Sequence, residues 1–270
     1  MRRILILLAS FSVPLAAQWL DHRDPRTPLR NGKPDLTAPA PRLNGKPDLS
    51  GVWQVERTSG KEFESILGSE FTETQVDFTD INKYVLDVFW GLKPSEEPLR
   101  PAAVAILKER SQMPSTTTRC LPAGVPAGLF IFSFKMIQSP REVVIISEGG
   151  DPARQIHTDG RSLPVDPQPS WMGYSVGKWQ GDTFAVETTG FREESWLDGF
   201  GHPRSETMLV RENFRRRDFG HMDLDVTIED AKYYTQPIRF RTTFNLIPAG
   251  DVLEFVCLEN EKDRAHIGKH

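Results

Sequence analysis

The residues able to do chemistry gather around three of the six histidines. In "GFGHPRSE", His202 stands three residues before Ser205 and four before Glu206. A histidine, a serine and a carboxylate that close could act as base, nucleophile and orienting group. In "RQIHTDGR", His157 precedes Asp159 by two residues, which puts both on one face of a strand. "GHMD" repeats that spacing with His221 and Asp223. The candidate catalytic set is therefore His202, Glu206, His157 and Asp159, with His202 foremost because it lies in a loop. The same four could ligate a metal, but their spacing fits no zinc pattern, and no metal is expected. Gly-x-Ser-x-Gly is absent, and so are the glycine-rich phosphate loops, so neither a nucleophile elbow nor an organic cofactor is expected.

A second group follows from strand parity. In residues 205–216, Met208, Val210 and Phe214 alternate as an inward face, and Glu206 and Glu212 share their parity. Arg154 shares parity with Ile156 in the same way. Charges on a dry face must find partners. This predicts an internal polar cluster of Arg154 with Glu206 or Glu212, against the alternative that both glutamates reach water at strand ends. Trp171, Tyr174 and Trp196 lie in neighbouring loops, where they would line the mouth of a pocket or plug it.

The elements that position these groups read as mostly β. "SGVWQVER" opens a strand at Gly51, with Trp53 and Val55 on one side. Residues 72–112 then change period. Ile81, Tyr84, Val85, Val88 and Phe89 have helical spacing, with Thr79 or Asp80 as N-cap and Gly91 as stop. "PLRPAAVAILKERSQ" reads as a second helix with Pro101 in its first turn. After residue 130 come strands near 132–138, 142–148, 153–158, 173–178, 182–189, 205–216, 221–228, 237–247 and 252–258. Gly181, Gly220 and the Pro248–Gly250 pair make tight hairpins between them. That many consecutive hairpins predict an antiparallel meander curled into a barrel, with a two-helix insertion after the first strand.

Composition and the chain ends set the address. The chain has 270 residues, 38% hydrophobic and 26% charged, as in an ordinary globular protein. A net charge of -4 excludes a nucleic-acid partner as the first expectation. Arg2 and Arg3, a short apolar run to Leu15 and the Ala16-Ala17 pair read residues 1–17 as a secretory signal peptide. No other stretch is apolar and long enough to span a membrane, so a periplasmic or secreted protein is expected. Residues 18–50 form a proline-rich leader that carries NGKPDL twice, at 31–36 and 44–49, with no strand or helix period. Residues 51–262 form one barrel-like domain and 263–270 a tail. The two cysteines, Cys120 and Cys257, are expected to pair in an oxidising compartment, the alternative being two buried thiols.

The stretches "PDLSGVW", "GYSVGKWQGDTFAVETTGF", "GHPRSETMLVRENFRRRDFG" and "CLENEKD" resemble a family of secreted, β-rich proteins common in soil bacteria. That resemblance implies an exported address and a β-rich shape, but no activity. Gly51-x-Trp53 also resembles the opening strand of lipocalin-like (calycin) barrels, whose tryptophan packs across the barrel floor.

Together these features predict a protein that binds a small, partly apolar molecule at the barrel mouth. Arg154 and Glu212 would set polarity there, and Trp171, Tyr174 and Trp196 would line the entrance. The alternatives are a cofactor-independent hydrolase, lyase or isomerase built on His202 and Glu206 or Asp159, and a structural envelope module.

Overall fold

A computed structural model describes residues 23–68 and 82–257. The signal-peptide reading, the Thr79, Asp80 and Ile81 end of the first helix, and the tail fall outside the described residues.

The doubled hexapeptide writes two copies of one turn. β1 (Leu29–Arg30) pairs with β2 (Lys33–Pro34), and β3 (Arg42–Leu43) pairs with β4 (Lys46–Pro47). Each two-residue turn is Asn-Gly with both φ positive: 54° and 76° at Asn31 and Gly32, 51° and 78° at Asn44 and Gly45. That is the type I′ geometry that Asn-Gly adopts most readily. Strands of two residues are too short to show a period, which is why the leader reads as featureless in sequence. The copies part at their last residue: Leu36 is only half-buried, whereas Leu49 is fully buried and its carbonyl accepts a hydrogen bond from Trp53 Nε1 at 2.9 Å.

The body is a closed barrel of nine strands: β5 (Gly51–Val55), β6 (Phe134–Gln138), β7 (Glu142–Ser147), β8 (Arg154–His157), β9 (Tyr174–Gln180), β10 (Thr183–Thr189), β11 (Leu209–Arg216), β12 (His221–Glu229) and β13 (Ile238–Leu246). Each strand pairs with its successor, and β13 closes on β5. Every barrel pair is antiparallel except β8 with β9, a short parallel contact in which Ile156 faces Ser175 and His157 faces Val176. Alternation fills the interior: Phe134, Phe184, Phe214, Phe244, Met222 and Leu224 are all fully buried or nearly so. Because the barrel is closed, no strand edge is left for the described part of the expected 252–258 strand, residues 252–257, to extend. Residues 251–256 are irregular instead, with Leu253, Phe255 and Val256 exposed, and lead to Cys257.

Among the described residues the insertion holds three short helices: α1 (Gly60–Leu67), α2 (Lys83–Leu86) and α3 (Pro101–Arg110). Asn82 caps α2 by accepting the Tyr84 amide, and Asp87 ends the helix after one turn. Val88 and Phe89 therefore pack from a turn rather than from a helix face. α3 begins at Pro101 and carries Lys108 and Arg110 in its last turn, where cations suit the helix dipole.

The leader straps one end of the barrel. Phe219 and Gly220 donate backbone hydrogen bonds to Ala38 and Leu36, and Arg42 grips Asp182 at the β9–β10 hairpin. Arg216 lies over the Trp53 ring, 4.9 Å from its centroid, and donates to the carbonyls of Asp48 and Phe219. A guanidinium above an indole face gains a cation–π contact while its donors are satisfied by carbonyls. The described parts of the insertion and the loops 148–153, 190–208 and 230–237 leave the strands at the opposite end, the mouth.

The strap has a steric key. A Cβ on Gly220 would lie 2.5 Å from Leu36 Cβ and 3.0 Å from its carbonyl oxygen. Gly220→Val should therefore push the leader off the floor, at a cost of about 1–3 kcal/mol. Limited proteolysis checks this: cleavage within residues 36–41 should accelerate, with the barrel core unaffected.

Candidate binding cavity at the barrel mouth

Two polar clusters and two large cavities compete for the role of site. The first cluster is inside the barrel. Arg154 donates to both carboxylate oxygens of Glu212, at 3.0 Å from Nη1 to Oε1 and closer still from Nη2 to Oε2. Its remaining donors reach Ser175 Oγ at 3.2 Å and Thr188 Oγ1 at 2.8 Å. Arg154 is 2% exposed and Glu212 not at all, and neither lines the mouth cavity. The cluster is sealed and each Arg154 nitrogen already has a partner, so it lies apart from any ligand space. Glu206 is not part of it. It sits on the exposed turn before β11, because that strand begins at Leu209 rather than at 205.

The second cluster lies in the loop after β10. Asp198 Oδ1 accepts the backbone amides of Gly201 and His202, which folds the loop back on itself. Asp198 Oδ2 takes the Val88 amide at 2.9 Å and lies 2.6 Å from His202 Nδ1. His202 Nε2 lies 3.3 Å from Glu97 Oε2. The imidazole thus sits between two carboxylates with the edge of Phe89 against it. Burial disfavours its charge, but the Asp198 charge and the hydrogen bonds to Asp198 and Glu97 outweigh burial and push its pKa up to about 10. Both ring nitrogens therefore carry protons and both are donating. Nearby Asp87 is pushed up to about 6, by burial first and by the Asp198 and Glu97 charges beside it. Asp87, Asp198 and His202 bring one ligand atom each within 4.8 Å of one another. A cation there would have to displace a proton that His202 holds tightly.

The other candidate residues lie apart from this cluster. Ser205 is buried and gives its hydroxyl to Asp230 at 2.9 Å, not to His202. His157 packs against Tyr174 on the outer wall beside the β8–β9 pair. With Trp171 they line a shallow hollow of about 310 Å³. Asp159 is exposed, and hydrogen bonding from Arg161 holds its carboxyl down at about 2. His157 and Asp159 thus belong to the outer surface and His202 to the loop core. Trp196 is buried, with Arg110 over its ring at 5.4 Å, and borders a small recess shared with Asp198.

Of the large cavities, one of about 600 Å³ lies beneath the leader. Its flexible charges are paired off, Arg26 with Asp24 and Lys135 with Asp251. The other, of about 660 Å³, opens at the mouth. Its walls come from the 117–132 loop, the 147–151 turn and residues 255–257. The Cys120–Cys257 disulfide ties the first of these walls to the last. Leu121, Ile131, Phe132, Phe255 and Val256 make the lining mainly apolar, and Phe132, Phe255 and Val256 remain partly open to solvent. A concave, mostly apolar space of this size with few polar groups is the usual form of a small-molecule site.

Asp151 supplies a polar group there. Its Oδ1 accepts the Ala123 amide at 2.8 Å and the Gly124 amide at 3.5 Å. Burial outweighs those bonds and the Arg204 charge, and pushes the carboxyl up to about 6. The sequence signals this residue only as part of the turn "EGGDP". Asp198, four residues before His202 across a glycine-containing loop, is the partner that local spacing could have found. Glu97 and Asp87 come from the insertion, far away in sequence, and no local pattern marks them. No protein-family model matches the chain and no curated protein matches it, so what it binds must be argued from this geometry.

Proposed function

We propose that the protein is an exported binding barrel that holds a small, partly apolar molecule in the mouth cavity. The observation that carries this reading is the division of space. The barrel interior is filled with side chains, whereas the mouth keeps a cavity of about 660 Å³ with apolar walls fixed by a disulfide. The disulfide suits an oxidising compartment. Among the described residues no helix is long and apolar enough to cross a membrane. The burial of Trp53 in the core suits the lipocalin-like resemblance, and the filled interior leaves the rim as the place for a ligand.

Acid–base catalysis by His202 is the weaker reading. A general base needs a free nitrogen within reach of the substrate proton. Both nitrogens of His202 already face carboxylates.

Isothermal titration with 2-naphthylmethanol, a neutral molecule small enough for the cavity, tests the reading. Saturable binding is expected, weakened tenfold or more by Leu121→Trp, which fills the mouth cavity. Ile137→Trp, beside the cavity under the leader, should leave it unchanged. Loss of binding in the Ile137 variant alone, or no saturable binding to the parent protein, would overturn it.

A further inference from the structure

Asp151 is the only ionisable side chain lining the mouth cavity among the described residues. Its carboxylate is held by one oxygen. Oδ1 takes the Ala123 and Gly124 amides, while Oδ2 accepts no hydrogen bond from any described residue. The group is built into its place. A Cβ on Gly128 would lie 2.0 Å from Oδ2, so only glycine leaves room for the carboxylate there. The one cation close by is Arg204, fully buried, and its guanidinium is spent on the carbonyls of Arg192, Val125 and Trp171. It tempers the Asp151 charge through space and makes no hydrogen bond to it. A half-satisfied carboxylate in an apolar wall favours a ligand that brings a positive charge and a donor together, since charge-assisted hydrogen bonds strengthen where water is excluded.

Resting on the binding reading above, we propose that the mouth cavity selects small apolar molecules that carry a primary amine, the ammonium group docking on Asp151 Oδ2 and the apolar body on Leu121, Ile131 and Phe255. The Thr117, Thr118 and Ser147 hydroxyls on the same walls are neutral and do not compete for the charge.

The test compares 2-naphthylmethylamine, an ammonium ion at pH 7.5, with 2-naphthylmethanol, its neutral match in shape. In the full-chain protein with its disulfide intact, the amine should bind at least tenfold more tightly than the alcohol. Asp151→Asn should weaken the amine at least tenfold more than the alcohol and so bring the two affinities together. A measurement on the unaltered protein stands beside the variant. Because burial holds the carboxyl near 6, the amine's advantage should shrink as pH falls from 7.5 to 5, with alcohol binding flat. Alcohol binding with no amine preference at pH 7.5 overturns this inference and leaves the binding reading standing. A preference that survives Asp151→Asn also overturns it. Failure of both compounds to bind overturns the two together.

Discussion

Glu212→Gln is expected to lower stability by about 3–5 kcal/mol, because it leaves the Arg154 guanidinium buried without its counter-charge. The pair is bidentate and sealed from water. Arg154→Met should cost a similar amount by stranding the carboxylate. The double variant Arg154→Met, Glu212→Leu is expected to recover most of the loss. Ser175 Oγ and Thr188 Oγ1 already bond to one another at 2.9 Å, so removing the charges strands no hydroxyl. Urea unfolding of the two single variants and the double gives the coupling directly. Single-variant losses below about 1 kcal/mol, the range of exposed ion pairs, would mean that water reaches the pair and that the interior is not sealed.

The pair has a mechanical reason to exist. The β8–β9 contact is the only parallel one in the barrel and spans two residue pairs, the thinnest seam in the wall. Arg154 belongs to β8 and bonds to Ser175 on β9, Thr188 on β10 and Glu212 on β11. One side chain therefore ties four successive strands together across that seam. The double variant should recover most of its equilibrium stability yet exchange the β8 and β9 amides faster than the parent. That places the cluster with the fold and away from ligand chemistry.

Strand parity made this cluster legible. Alternation of period two placed Arg154 and Glu212 inward without any knowledge of partners, because one face of each strand must be dry. It failed at Glu206, since parity says nothing about where a strand starts, and the chain enters β11 three residues later. Periodicity was also blind to direction. Nothing in residues 153–158 or 173–178 distinguishes parallel from antiparallel pairing. Only the proline-rich crossover "SLPVDPQPS" hints that the chain must travel back along the wall before β9 begins. The disulfide was legible from compartment and count, and the two leader hairpins only as Asn-Gly turns. A site at the mouth was expected, but the residues that line the cavity were not legible, because its walls are loops. Asp151, Gly128 and Phe255 meet through tertiary packing that leaves no periodic trace in the sequence.

The His202 cluster gives the second large effect, and it carries a sign that pH can read. With a pKa of about 10 in the folded chain against an ordinary value near 6.5, His202 binds its proton more tightly when folded. Its contribution is fully present below about pH 6.5 and is lost as pH rises through about 10. Asp87, raised to about 6, acts in the same direction at lower pH: the fold favours its neutral form, and that contribution is lost as pH climbs from about 4 through 6. These two groups therefore withdraw their contributions in two steps on the alkaline side of pH 4. His202→Gln removes the upper step and, by taking away a charge that lowers the Asp87 pKa, moves the lower one upward. At pH 6 the variant should be less stable than the parent by on the order of 3–5 kcal/mol, since it leaves Asp198 and Glu97 facing an uncharged amide. By pH 10 the two unfolding curves should draw together. Lysine and tyrosine titration near that pH cancels in the difference, so the gap between parent and variant isolates the imidazolium. A gap that stays constant from pH 6 to 10 would mean His202 is neutral in the fold, with a nitrogen free to accept a proton. The catalytic reading set aside above would then regain its base.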